Sequence, residues 1–491
     1  MYFLDKQQRE QVGFNFILDK LEVITPFGVD LKKNLRPYKA QEKQNLLEEL
    51  NNIDLILQNY NTHKSLYKNI ERLFNKVKDI KNSIKRIINI NTLDDVELFE
   101  VKTFSLICEE ICVLFSELQR VTLIKGIKFT SLKEVIDILD PDKKRISTFY
   151  IYESYSKKLE EIRAHKRKLE EQILLCPSAE KAMNLKGERL RWVVMEEEEE
   201  LLIRRELTKK LNSHALTLEK NILSIAKLDL LMAKAKLAIN FNAVKPIITD
   251  EAKIHIKEAF NPEVSFILEA RGKAFTPITL KINSGVSVIT GANMGGKSVT
   301  MKTVVLNLLL AHMGFFLFCE EATLPILDFI YFISDDLQSV SQGLSTFGAE
   351  IIDLKNFIEY SKNKTGFIAL DEFARGTNPK EGTFLVKALC NYLNTQKNIS
   401  LISTHYDNVV DETMVHYQVK GLKNVNFEEL KNKINLNRAH SIEIIQEHMD
   451  YRLEQVSSND KVPKDALNIC ILLGLHQDII DIAQGFYSKE E

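Results

Sequence analysis

The run VSVIT leads into Gly291-Ala292-Asn293-Met294-Gly295-Gly296-Lys297-Ser298, which fits the spacing G-x-x-x-x-G-K-[ST]. Glycines in such a loop let the backbone turn its N–H groups inward around phosphate oxygens. Lys297 would reach the β and γ phosphates, and the Ser298 hydroxyl would ligate Mg²⁺. A glycine-containing turn can match the pattern by chance. A preceding apolar strand and a following apolar helix, VTMKTVVLNLLLA, make a phosphate cradle the better reading.

Downstream, the apolar run GFIAL ends in Asp371-Glu372. An acidic residue at such a strand end can hold Mg²⁺ through water, and an adjacent glutamate can orient or deprotonate the attacking water. Asp-Glu pairs usually mark exposed turns, but here a buried strand precedes the pair and a phosphate loop stands upstream. A third run, ISLIST, ends in Thr404-His405-Tyr406 and places His405 where a polar γ-phosphate sensor is needed. Together these residues point to ATP with Mg²⁺ as the ligands. Between them, Ser341 to Glu350 reads by itself only as a helix entry, with Ser345 as a candidate cap.

These groups need a scaffold. From about residue 252 onward, short apolar strands alternate with helices, the pattern of a parallel α/β sheet with its site at the strand C-termini. Residues 1–245 are poor in glycine and proline and predict long helices. Examples are QEKQNLLEELNNIDLILQNY and SYSKKLEEIRAHKRKLEEQILL, the latter with Leu159, Ile162, Leu169 and Ile173 on one stripe. One further long helix is expected from about Glu196 to Leu237. The expected division is a helical region 1–245, an α/β domain 246–445 and a helical tail 446–491.

A chain of 491 residues is too long for one core, and a formal net charge of -2 gives no global pull toward nucleic acid. Any contact with DNA would have to come from a local basic patch. The acidic run Glu196 to Glu200 reads as a solvated helix face, and its carboxylates argue mildly against a DNA clamp there. The six cysteines form no Cys-x-x-Cys pair and read as buried thiols in a reducing compartment. The N-terminus lacks a signal-peptide core, and the most apolar stretch, Thr303 to Phe318, is broken by Asn307, His312 and Gly314. The expectation is a cytoplasmic protein with no membrane span.

The motifs together resemble the MutS family of DNA mismatch-repair ATPases. GANMGGKS resembles that family's GPNMGGKS, GLSTFGAE its STF signature, DEFARGTNPKEG its DE-GRGT-DG segment, and STHY its ATHY. More weakly, ITPFGVDLKKNLRP resembles the start of the family's helical core and IAKLDLLMAKAKLAI the end of its lever. The resemblance implies an α + α/β chain: a long-helix core and lever, an ABC-type P-loop ATPase domain, and a short helical tail. It implies that Gly291 through Ser298 cradle the nucleotide, that Asp371 and Glu372 serve Mg²⁺ and water, and that His405 senses the γ-phosphate. Ser345 would enter the partner's ATP site, giving a homodimer with two composite sites.

The departures are specific. The chain starts almost at the helical core, so the mismatch-reading and connector domains are expected to be absent, with their Phe-x-Glu wedge. Ala292 stands for the usual proline, Ser298-Val299 for Ser-Thr, and Ala374 for a glycine. Tyr331-Phe332-Ile333-Ser334 stands for Arg-Ile-Gly-Ala, and VPKDALNICILLGL replaces a Ser-Tyr-Gly segment. In these respects the chain is similar to a MutS-like branch associated with adenosylcobalamin-dependent aminomutases. There the ATPase serves as a subunit of the reactivase for lysine 5,6-aminomutase.

Two kinds of client follow. One is a cobalamin-dependent aminomutase, engaged together with a second reactivase subunit and remodelled to exchange damaged cofactor. The other is duplex or branched DNA, bound without mismatch specificity.

Overall fold

The computed structural model describes residues 3–146, 148–291, 295–334, 346–422, 425–427, 429–430, 434, 441–457 and 465–490. The chain divides into two compact units. One comprises Met1–Leu21, Arg36–Asn51 and Lys236–Glu491; the other comprises Glu22–Leu35 and Asn52–Ala235.

The first unit carries the sheets. A four-stranded sheet joins β1 (Ile247–Thr249), β2 (Lys253–Ala259), β3 (Ile278–Asn283) and β5 (Glu321–Pro325) in the order β1-β5-β2-β3. The larger sheet is built from β4 (Gly285–Thr290), β6 (Ile330–Ile333), β7 (Phe367–Asp371), β8 (Ile399–Ser403), β9 (Val415–Gly421) and β10 (Asp450–Val456). Its order is β10-β9-β4-β8-β7-β6, parallel throughout except for the antiparallel pairing of β10 with β9. β4, β7 and β8 are buried along their whole length, which explains their continuous apolar sequences.

The helix Lys297–His312 is buried over nearly all its residues. On the sheet, Val288, Leu370 and Ile402 pack in a core that includes Phe357, whose ring stacks on Tyr331 at 3.7 Å between centroids. β10 lies inside the tail that was expected to be helical. DYRLEQV is a half-buried edge strand whose apolar residues are too few to announce it.

The second unit is helical. The helix Asp95–Thr122 opens with a capping box in which Asp94 and Glu97 satisfy each other's backbone N–H groups. The helices Lys157–Leu174 and Ala179–Asn212 are joined by a short turn. The long helix expected from Glu196 to Leu237 is instead two, Ala179–Asn212 and Ala215–Asn240. At the break, Ser213 Oγ donates to the Lys210 carbonyl and Asn212 Nδ2 donates to the Ile87 carbonyl. The local Ser213 bond competes with helix continuation, and the Asn212 bond ties the break to the helix Lys81–Ile88.

The acidic run is only in part the solvated face expected: Glu197 and Glu198 are exposed, and the other three turn inward. Glu196 and Glu199 are buried, and with Glu200 they lie along one side of their helix. Arg163 meets Glu196 at 2.8 Å and Glu200 at 2.7 Å, Lys158 meets Glu199 at 2.9 Å, and Lys166 also pairs with Glu196. These carboxylates are neutralised inside a helix-to-helix seam. They do not form a phosphate-repelling surface. Among the described residues no helix is long and apolar enough to cross a membrane.

Candidate active site

β4, β8 and β7 are neighbours, and their register aligns Ile289 with Ser403 and Ser403 with Asp371. Their C-terminal ends therefore open at one edge of the sheet. Beyond β4, Gly291 has φ +143, and a side chain there would press on Val419. Gly296 has φ +84 at the N-cap of the helix Lys297–His312, and an added Cβ would lie 3.1 Å from the Tyr451 ring. Both positions call for glycine on conformational grounds.

Lys297 is the first residue of that helix and is 4% exposed. Its Nζ donates to the Gly291 carbonyl at 2.8 Å and lies 3.3 Å from Glu372 Oε1. Burial lowers the ammonium from its ordinary value, opposed by the Glu372 and Asp371 carboxylates.

Asp371 closes β7 and is 2% exposed. Burial pushes its carboxyl above the usual range, while hydrogen bonds from the Ser403 and Ser298 hydroxyls act in the opposite direction. The Ser403 hydroxyl donates to Asp371 Oδ1 at 2.5 Å. Glu372, the next residue, has φ +50, and its N–H donates to the Ser403 carbonyl at 3.2 Å. Its carboxylate faces three cationic or ionisable groups: Lys297 at 3.3 Å, Arg375 at 3.3 Å and His405 Nδ1 at 3.8 Å.

The structure thus brings Lys297, Ser298, Asp371, Glu372 and His405 together. Gly291, Gly295 and Gly296 lie on the connecting turn. Ala292, Asn293, Met294 and Ser345 are outside the described residues. Three contributors were not picked out from sequence. Arg375 pairs with Glu372, Ser403 holds both acidic residues, and Tyr406 donates to the Ala374 carbonyl at 3.0 Å. Arg375, Ser403 and Tyr406 all stand inside motifs already quoted, so motif membership was the available signal.

A largely parallel sheet flanked by helices, with a buried lysine, two carboxylates and glycine turns at its strand ends, defines an α/β domain with its polar groups gathered where such folds place their sites. Residues 287–470 match the family model described as MutS domain V. The chain is 28% identical over 257 residues to the "DNA mismatch repair protein MutS" of Listeria welshimeri, covering 52% of this chain and 28% of that one. It is 33% identical over 228 residues to the protein of the same description from Staphylococcus epidermidis, covering 45% and 25%. It is 36% identical over 217 residues to "Endonuclease MutS2" of Caldicellulosiruptor bescii, covering 43% and 26%. The matches span 28%, 25% and 26% of the length of these relatives. Over this region the chain is similar to MutS-family proteins.

Proposed function

We propose that this chain is a MutS-family ATPase that binds ATP on the turn Gly291–Ser298 and hydrolyses it at the ends of β4, β7 and β8. The convergence of Lys297, Asp371 and Glu372 carries the reading. Lys297 sets a buried positive charge against the phosphates, and Glu372 orients the attacking water and accepts its proton. His405 lies beside Glu372, suited to sensing the γ-phosphate.

Ser298 and Asp371 are hard oxygen donors already joined by a hydrogen bond, a set that fits Mg²⁺. When bound there, Mg²⁺ would supply charge neutralisation on the phosphates. Lys297→Ala should weaken binding of a fluorescent ATP analogue, whereas Glu372→Ala should bind it and fail to cleave ATP. Equal loss of binding in both variants would defeat this division of roles.

The finer reading is that ATP hydrolysis drives reactivation of an adenosylcobalamin-dependent aminomutase, with a second reactivase subunit. It rests on the resemblance of ISDDLQSVSQGLSTFGAE, DEFARGTNPKEG and the VPKDAL tail to that branch. The test incubates inactivated aminomutase with fresh adenosylcobalamin, ATP and this protein, with Glu372→Ala as the control. Recovery that is equal in the control, or absent, would sink it.

One surface favours the second reading, a nucleic-acid-binding member. Residues 61–90 hold eight Lys and Arg against Glu71 and Asp79. The helix Lys64–Phe74 buries Tyr67, Ile70, Leu73 and Phe74, leaving Lys64, Lys68 and Arg72 exposed at every fourth position. A rise of about 1.5 Å per residue spaces them roughly 6 Å apart, a ridge suited to a phosphate backbone. Reversing all three charges should lower the affinity for a labelled duplex and make its salt dependence shallower by about three phosphate contacts. The same reversal at the exposed Lys6, Lys355 and Lys397 should not. Mismatched and matched duplexes should bind alike.

A further inference from the structure

The segment after β7 contains two non-glycine residues in left-handed backbone conformations. Glu372 has φ +50 and Ala374 has φ +64, with the buried Phe373 between them. An alanine pays a steric cost in this region that glycine does not. Ala374 is 0% exposed, so water cannot satisfy its peptide groups.

Both of those peptide groups are held by side chains from other elements. The Ala374 N–H donates to Glu350 Oε2 at 3.2 Å, from the helix Thr346–Ser361. Its carbonyl accepts the Tyr406 hydroxyl at 3.0 Å, from the segment after β8, and at a longer 3.4 Å the Thr377 N–H of its own turn. Tyr406 is itself fixed. It is 6% exposed, and its N–H donates to Thr404 Oγ1 at 3.1 Å. Its hydroxyl fits only because residue 382 is glycine, where a Cβ would lie 2.4 Å from the hydroxyl oxygen.

We infer that Glu350 and Tyr406 are positioning residues for Glu372: they clamp Ala374 in the left-handed turn that a glycine would adopt unaided, and so set the Glu372 carboxylate against Lys297. The inference rests on the proposed role of Glu372 in hydrolysis. Ala374 is two residues beyond Glu372 and adjoins Arg375, which pairs with that carboxylate. A rotated Ala374 peptide would shift both. The Glu350 contact also ties the turn to the helix that begins directly after Ser345, the residue proposed to act in the partner's site.

The test uses the full chain carrying Glu350→Ala or Tyr406→Phe, each alone and combined with Ala374→Gly. Loss of the clamp should lower kcat by about ten- to a hundredfold while the dissociation constant of a fluorescent ATP analogue stays within about twofold. Relative to Ala374→Gly alone, adding either clamp substitution should cost no more than about twofold, because glycine holds the turn without help. Equal losses with and without Ala374→Gly would overturn the inference.

Hydrogen exchange of residues 372–377 in the same proteins supplies a readout that needs no turnover. Protection should fall in Glu350→Ala, and Tyr406→Phe should loosen the same segment. Unchanged exchange in both would also overturn the clamp. If the unaltered chain binds the analogue but never hydrolyses ATP, the hydrolysis reading fails, and exchange still decides whether the turn is clamped.

Discussion

One carboxylate oxygen of Asp229 accepts both the hydroxyl and the backbone N–H of Thr25, each at 2.7 Å. The Ile24 N–H donates to the same carboxylate at 3.1 Å. The Thr25 hydroxyl in turn accepts the Gly28 N–H at 2.9 Å and so caps the helix Pro26–Lys33. A Cβ on Gly28 would lie 2.2 Å from Asp229 Oδ2, so the close approach requires glycine. The two partners come from ITPFGVDLKKNLRP and IAKLDLLMAKAKLAI, the two upstream segments with the family resemblance. Within the helical unit they meet at this carboxylate.

Asp229 is 2% exposed, and removing it strands the hydroxyl and N–H of the fully buried Thr25. Asp229→Ala should therefore destabilise the helical unit by about 3 kcal/mol. Urea denaturation followed by circular dichroism measures this. A loss below about 0.5 kcal/mol, the scale of an ordinary surface substitution, would show that the carboxylate does not hold the junction.

The composite-site proposal is tested by complementation. Lys297→Ala and Ser345→Ala proteins should each hydrolyse little ATP. Mixed and allowed to exchange subunits, they should recover part of the activity, because one of the two sites in a heterodimer then has both residues intact. Mass-labelled subunits establish that exchange occurred. Exchange without recovery would count against Ser345 acting across a dimer.

How much of this was legible in the sequence depended on the range of the interactions. Lys297, Ser298, Asp371 and Glu372 were readable because fully buried parallel strands appear as unbroken apolar runs, and the chemistry follows directly at their ends. β10 was not, because an edge strand carries a weak alternating pattern. The pairing of Arg163 with Glu196 was not, because an acidic run reads the same whether it meets water or a basic helix 33 residues away. The Ala374 turn was visible only as a departure from a glycine. Its two braces, Glu350 and Tyr406, stand 24 and 32 residues from it.

His312 provides a pH prediction. It is 1% exposed at the end of the helix Lys297–His312, and burial lowers its pKa from 6.5 to about 4. Its ring nitrogens are both engaged. Nδ1 lies 2.8 Å from the Leu308 carbonyl, which can only accept, and Nε2 accepts the Leu327 N–H at 2.8 Å. The neutral Nδ1–H tautomer is therefore the one the site holds, and protonation would set an N–H against an N–H. Because the folded value lies below the unfolded one, the unfolded chain takes up this proton first as pH falls. The stabilisation is fully present above about pH 6.5 and is lost progressively toward about pH 4, amounting to about 3 kcal/mol across that window. Other groups titrate there too, so the reading is a difference between proteins. His312→Asn should be less stable than the unaltered chain at pH 7.5, but its stability should fall less steeply between pH 6.5 and 4, by up to one proton per molecule. Denaturant titrations of the α/β unit's unfolding transition at several pH values give both slopes. Parallel slopes in the two proteins would mean that His312 does not carry the acid sensitivity assigned to it.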